Sequence, residues 1–301
     1  MRPTDDSGPA SSPATGGNDS EFRLLDLGDG RQLARYGELV VDRPFPAATG
    51  PILDSRIWAA ADLRYERGVD AWTAAGDLPD HWTMRHDDLL FELRPTPAGQ
   101  VGFFAEQIEP WRWLRATIRA SVRPINLLNV FAYTGGSTLA AAAEGATVTH
   151  LDAARSPVAW ARRNAELSGL GTAPVRWIVD DAQAFVEREL RRGRRYDAIV
   201  LDPPSYGHGP QGERWTLADR LPELLDGCLA LADGRPELVL LTAHTEGLEP
   251  ETLADALRSA FIRAGVPVSS VGSSRIDAEP LILRAESGAS APAGVQVRWR
   301  G

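Results

Sequence analysis

Four aspartates and one pair of glycines carry most of the chemistry this sequence can do. Asp202 is followed by Pro203, Pro204, Ser205 and Tyr206. Proline blocks helix and removes backbone donors. The Asp202 carboxylate and the Pro203 carbonyl therefore project from the end of the preceding apolar run, Tyr196 to Leu201, as hydrogen-bond acceptors. Asp152 closes a second run, Ala146 to Leu151. An acid in that place can accept two hydrogen bonds from a ribose diol. Asp180 and Asp181 close a third, Val175 to Val179. Gly135 and Gly136 follow a fourth, Leu127 to Phe131, where glycine lets backbone N–H groups come close to a ligand. They are the only close pair in that turn, so this is not the dinucleotide fingerprint G-x-G-x-x-G. The pattern fits any nucleoside-bearing cofactor, and a purely structural glycine turn fits it equally well.

The elements that must position these residues alternate in kind. Short apolar runs bounded by turn residues read as buried parallel strands. A further one, Leu238 to Leu241, ends in Thr242, Ala243, His244 and Thr245. Helices are expected between the runs at about 137–144, 155–168, 181–192, 218–232 and 250–264. Alternation of this kind predicts an α/β, Rossmann-like sheet with right-handed crossovers. Ligands bind outside the carboxyl ends of such strands, and the acids all fall on that rim. Leu281 to Arg284 and Val295 to Arg300 are two more strand-like runs.

Upstream, the composition changes. Residues 1–20 are rich in Ser, Pro, Gly, Asp and Thr and read as a disordered tail. Residues 21–100 read as a small β-rich domain with hairpins around Gly28-Asp29-Gly30 and His86-Asp87-Asp88. Trp58, Trp72 and Trp82 are expected to pack its core or its seam, with base stacking as the other use. Residues 101–124 connect it to the cofactor-binding domain, 125–301, and carry a helix from Pro110 to Ala120. Arg112, Arg115, Arg119 and Arg123 lie three or four apart, as a solvated face or a phosphate-facing patch.

Asn129-Val-Phe-Ala-Tyr-Thr-Gly-Gly136, Asp152, Trp160-Ala-Arg-Arg-Asn-Ala165, Asp180-Asp181 and Asp202-Pro-Pro-Ser-Tyr206, preceded by Val101-Gly-Phe-Phe-Ala-Glu-Gln107, resemble the class I S-adenosylmethionine-dependent methyltransferases. More narrowly, the chain is similar to the 23S ribosomal RNA cytosine-C5 group, over roughly residues 22 to 275. The resemblance implies S-adenosylmethionine (SAM) as methyl donor, and an antiparallel strand pair at the end of the sheet. It places Tyr133, Thr134, Gly135, Gly136, Asp152, Asp181 and Gln107 beside the cofactor. Asp202, Pro203 and Tyr206 become the catalytic set, and Phe104, Ser205, His208, Arg214 and His244 the substrate contacts. It departs from that group in one respect. Carbon-5 methylation needs a thiolate, and the places of the family cysteines hold Ser205-Tyr206 and Ala243-His244-Thr245. Cys228, the one cysteine, falls in an expected apolar helix. Transfer to a base nitrogen is the chemistry left open.

Composition bounds the rest. The chain has 301 residues, 43% of them hydrophobic, which is ordinary for a globular protein. No apolar run is long enough to span a bilayer. A single cysteine suits a reducing, cytoplasmic setting. No metal site is expected. A net charge of −9 lacks the basic footprint of nucleic-acid binders. Ribosomal RNA is the expected partner by resemblance alone. A small-molecule or protein methyltransferase is the alternative, and a non-catalytic SAM-fold binding module a second one.

Overall fold

The computed structural model describes residues 21–77, 79–208, 214–266 and 275–301. The chain opens with β1 (Phe22–Gly28), β2 (Arg31–Tyr36), β3 (Leu39–Pro44), α1 (Ser55–Ala59), β4 (Leu63–Glu66) and β5 (Ala71–Ala74). The strands form one sheet in sequence order, antiparallel except for β3 with β4. Asp29 and Gly30 join β1 to β2 with positive φ angles of 51° and 71°. A two-residue hairpin turn needs that pair of angles. β6 (Trp82–His86) and β7 (Leu89–Leu93) make a separate hairpin. The tryptophans pack as structural residues: Trp58 Nε1 donates to Asp26 Oδ2, Trp72 Nε1 to the Thr96 carbonyl and Trp82 Nε1 to the Tyr36 carbonyl. A 3-10 turn, Ala105–Gln107, leads into α2 (Ile108–Arg119). That helix starts two residues before the expected Pro110, because proline is tolerated in a first turn, where its missing N–H would have no partner.

The second half runs β8 (Asn126–Val130), α3 (Gly136–Ala143), β9 (Thr147–Asp152), α4 (Arg155–Leu167), β10 (Val175–Val179), α5 (Ala182–Arg191) and β11 (Ala198–Leu201). It continues β12 (Tyr206–His208), β13 (Arg214–Thr216), α6 (Leu217–Leu231), β14 (Leu238–Ala243), α7 (Pro250–Arg263), β15 (Ile276–Arg284) and β16 (Ser290–Arg300). The sheet order is β10-β9-β8-β11-β14-β16-β15. Its first five strands are parallel, and the last two add on antiparallel. The fold is thus α/β and Rossmann-like with a β-rich N-terminal sheet, as expected. One stretch differs. The segment after Asp202 reads as a loop in sequence, whereas Tyr206–His208 and Arg214–Thr216 pair as a short antiparallel ladder. Three residues with a glycine among them are too few to register as a periodic strand.

Two cores flank the large sheet. On one side α5, α6 and α7 pack Phe185, Leu225, Cys228 and Phe261 against β11 and β14. On the other, Leu114 and Ile118 of α2 and Ala141 of α3 meet Leu127, Val148, Val200 and Leu240 of the sheet. A separate cluster joins the N-terminal strands to the sheet's helices through Leu24, Tyr36, Phe91, Phe103, Trp111, Leu139 and Ala165. Phe103 is fully buried there, worth roughly 1.5–3 kcal/mol of transfer free energy. The turn between β15 and β16 returns to the N-terminal sheet. Glu286 N and Ser287 N donate to the Leu24 and Leu25 carbonyls, and Glu286 pairs with Arg23 at 2.7 Å.

Candidate active site

The loop after β8 is bent against its own preferences. Phe131 and Tyr133 hold φ of 60° and 45°, and Gly135 holds 91°. Non-glycine residues there cost of order 1–3 kcal/mol each unless their surroundings impose the shape. Here the surroundings do so. Tyr133 N donates to Asp152 Oδ2 at 3.0 Å, and Thr134 Oγ1 to the Gly102 carbonyl at 2.7 Å. Asn164 on α4 donates to the Thr134 carbonyl at 2.9 Å and accepts from Glu92 N on β7 at 2.8 Å. One buried amide therefore ties the loop to the N-terminal hairpin. Asn164 lies within the recognised Trp160–Ala165 stretch, but nothing in sequence distinguishes it from a core residue.

Both glycines meet protein neighbours. A Cβ on Gly135 would stand 2.9 Å from Ala161 Cβ, and one on Gly136 would stand 2.1 Å from the Trp111 ring. Gly136 lines the adjoining cavity, and Gly135 lies behind it. Asp152 faces the same cavity. Its Oδ1 accepts from Ala154 N at 2.9 Å, and burial raises its carboxyl. Asp152 does not cap α4, whose N-cap is Ala154. Each Asp152 oxygen keeps a lone pair for another donor. Asp181 caps α5, accepting from Ala184 N at 2.9 Å with one oxygen. Asp180 is engaged by Arg188 and by Asp181 N. Both acids line the cavity.

That cavity has a volume of about 870 Å³. At the end away from Asp152 and Asp181 it is lined by Glu106, Gln107, Asp202, Pro203, Pro204 and His244. Three neighbours converge on Asp202. Thr242 Oγ1 donates to Oδ1 at 2.6 Å, His244 Nε2 lies 3.1 Å from the same oxygen, and Gln107 Nε2 donates to Oδ2 at 3.0 Å. The other nitrogen of His244, Nδ1, lies 2.6 Å from the Ala293 carbonyl on β16. Both ring nitrogens thus face acceptors, so the imidazole carries both protons. Burial alone would pull His244 down, but the Asp202 charge and hydrogen bond lift it to about 10. Burial likewise raises Asp202, yet the His244 charge and the three donors hold it below the usual carboxylate range. Gln107, expected beside the cofactor, belongs to this Asp202 cluster. Its nitrogen lies 3.1 Å from His244 Nε2, where two donors cannot bond each other, and also donates to Thr242 Oγ1 at 3.1 Å.

The other expected residues divide. Phe104 lines the cavity with its ring edge-on to Tyr133, centroids 5.4 Å apart. Ser205 Oγ accepts from Thr245 Oγ1 at 2.8 Å, so the two strand ends expected to carry cysteines in the resembling group are linked by hydroxyls. Tyr206 is 69% exposed at the start of β12 and is not among the residues facing the cavity, where Gly207 stands. The side chains of His208 and Arg214 lie outside the described residues. Cys228 is fully buried, and burial pushes its thiol up to about 12. Arg112 pairs with Glu109, Arg115 with Asp88 and Glu144, Arg119 with Glu144, and Arg123 with Asp197 and Glu237. That arginine row is neutralised by the protein itself.

A family model for S-adenosylmethionine-dependent methyltransferases matches residues 57–235. The crystal structure of the SAM-dependent methyltransferase from Agrobacterium tumefaciens is 33% identical, with a TM-score of 0.83 over 95% of this chain and 91% of that one. Ribosomal RNA large subunit methyltransferase K of Neisseria meningitidis serogroup B is 27% identical over 144 residues, 48% of this chain and 40% of its own. Ribosomal RNA large subunit methyltransferase I of Aeromonas salmonicida is 29% identical over 163 residues, 51% of this chain and 37% of its own. The chain spans well under half the length of these two curated relatives.

Proposed function

The chain belongs to the S-adenosylmethionine-dependent methyltransferases, and from that premise we propose that it methylates a base of large-subunit ribosomal RNA at a nitrogen. The observation behind this reading is the single cavity that joins Asp152 and Asp181 at one end to Asp202, Pro203 and His244 at the other. Its residues suit SAM. The spare lone pairs of Asp152 would accept the two ribose hydroxyls, and the spare Asp181 oxygen the adenine amino group. Phe104 and Tyr133 would wall the cofactor. Thr134, Gly135 and Gly136 would act indirectly, by fixing the loop. When bound, the cofactor supplies an electrophilic methyl on a positively charged sulfur.

Asp202 would then hold the acceptor. Its Oδ2 accepts only from Gln107 among the described residues, which leaves one lone pair there. That lone pair and the Pro203 carbonyl would take two N–H bonds of a planar amino group. The nitrogen lone pair would thereby face the methyl, so catalysis is chiefly positioning. The proton the methylated nitrogen sheds would pass along its hydrogen bond to the Asp202 carboxylate and on to solvent. His244 already carries both protons, which makes it the charge partner and orienter of Asp202 rather than a base. Gln107 and Thr242 would fix the carboxylate from its other sides. Tyr206 would meet substrate from outside the cavity. Carbon-5 chemistry is disfavoured, because the sole thiol is in the core and hydroxyls stand at both strand ends. A small-molecule or protein acceptor is the second reading, favoured by the net charge of −9 and the neutralised arginine row.

The test is methyl transfer from labelled SAM to ribosomal RNA taken from a strain lacking this protein, followed by nucleoside mass analysis. An N-methylated base is expected. Labelled 5-methylcytosine would overturn the nitrogen assignment. No label, with the cofactor bound, would favour the second reading.

A further inference from the structure

A second cavity, of about 540 Å³, adjoins the first and shares Gln100 and Glu106 with it. This lies within the roughly 300–1,000 Å³ of small-ligand sites. Two opposite charges line it, Arg43 and Glu106, near enough for the Glu106 charge to raise Arg43 but not joined in a direct ion pair. Arg43 is 3% exposed, and its guanidinium donates to Tyr36 Oη at 3.3 Å and to Gln100 Oε1 at 2.9 Å. No carboxylate among the described residues forms an ion pair with it. Glu106 has one carboxylate oxygen that is buried and has no hydrogen-bond partner. A buried polar atom left without a partner is costly, so the free Glu106 oxygen calls for a donor, and Arg43, bonded only to neutral oxygens, can still take an anion. Arg67 adds an exposed cation to the rim, and Phe45 and Pro46 add an apolar lip. Asp70, on the far side, accepts from the Tyr65 hydroxyl at 3.3 Å. Glu106 immediately precedes Gln107, so the floor of this cavity is one residue away from the Asp202 cluster.

A ligand that satisfies both groups must offer an anion to Arg43 and a hydrogen-bond donor to Glu106, while remaining attached to the acceptor at Asp202. We propose that the second cavity holds the ribonucleotide next to the methylated base, with its phosphate on Arg43 and Arg67 and its 2′-hydroxyl on Glu106. This inference rests on the RNA reading above. A carboxylate that accepts from the 2′-hydroxyl tells RNA from DNA.

Two assays on the full chain test it. In the first, methyl transfer to deproteinised large-subunit ribosomal RNA is compared for the wild type, Arg67→Ala and Arg43→Lys. Both variants are expected to raise KM for RNA about tenfold while SAM affinity stays unchanged. Unaltered KM in both would overturn the subsite and leave the RNA reading intact. Arg67 is exposed, so its variant is informative even if Arg43→Lys folds poorly. In the second, the protein saturated with S-adenosylhomocysteine is titrated with the four ribonucleoside 5′-monophosphates and their 2′-deoxy counterparts. Tighter binding of the ribo form is expected, with the difference lost in Glu106→Leu. Absence of nucleotide binding, or equal binding of both sugars, overturns the assignment. This second assay needs no methyl transfer, so it decides the subsite even if ribosomal RNA proves not to be the acceptor.

Discussion

At the scale of single residues, the site turns on the contact between Asp202 and His244. Asp202→Ala should lower methyl transfer at least a hundredfold and leave SAM affinity within twofold, as read by calorimetric titration beside a transfer assay. Equal activity would remove Asp202 from the mechanism. The pair also sets a pH window. His244 is lifted from its ordinary 6.5 to about 10, so the folded state holds its proton where the unfolded state has lost it. Its contribution to stability is complete below 6.5 and is lost as pH rises toward 10. Asp202 is lowered, so its contribution is present above 3.8 and fades as pH falls through the lower, folded value. Urea unfolding at several pH values from 7 to 10 should show the wild type losing stability faster than His244→Gln. Parallel curves would contradict the ion pair. Asp152, Asp202 and the Pro203 turn were legible because an acid at a strand end is a local pattern. Gln107 was legible as a residue of the cavity, but its contact with Asp202 was not, since it joins residues 95 apart in sequence. Thr242 and Asn164 were not singled out, because one hydroxyl at a strand end or one amide in a polar helix stretch carries no periodic signal.

At the scale of elements, the helices and the parallel strands were readable to within about two residues, because apolar runs and capping glycines mark their ends. What sequence hid was why particular glycines stand where they do. Gly136 leaves room for the Trp111 ring, so Gly136→Ala should destabilise the fold by about 1–3 kcal/mol in chemical denaturation. A Cβ on Gly294, at φ 134°, would come 2.5 Å from the Ala243 carbonyl and 2.7 Å from His244 Nδ1. Gly294→Ala should therefore slow transfer more than it weakens SAM binding, because it displaces the imidazole. Cys228 sits on α6 in the core and is not among the residues that line the cavity. Cys228→Ala should keep full activity, and a dead but folded variant would revive a thiolate route.

At the scale of the whole molecule, charge and shape pull in different directions. The chain carries −9 and spends its arginine row on its own carboxylates. Binding of RNA should therefore show a shallow salt dependence. If only Arg43 and Arg67 meet phosphates, log K against log salt should fall with a slope near −1.4, at about 0.7 per phosphate on a single strand. A slope several times steeper would mean that the RNA meets a basic face beyond those two residues. No helix among the described residues is long and apolar enough to cross a membrane.

The hairpin of β15 and β16 gives this architecture an order in time. Ala293 on β16 holds His244, and the hairpin turn clasps β1 through Glu286 and Ser287. Synthesis runs from β1 forward, so a chain on the ribosome has its cofactor strands long before it has Ala293. Until that stretch clears the exit tunnel, His244 lacks the carbonyl that orients it and the first strand lacks its clasp. The carbonyl that orients His244 is thus among the last parts of the sheet to be made. A messenger cut short before Ala293 would yield a sheet that ends at β14, with the core places of Val295, Val297 and Trp299 empty as well as His244 unheld.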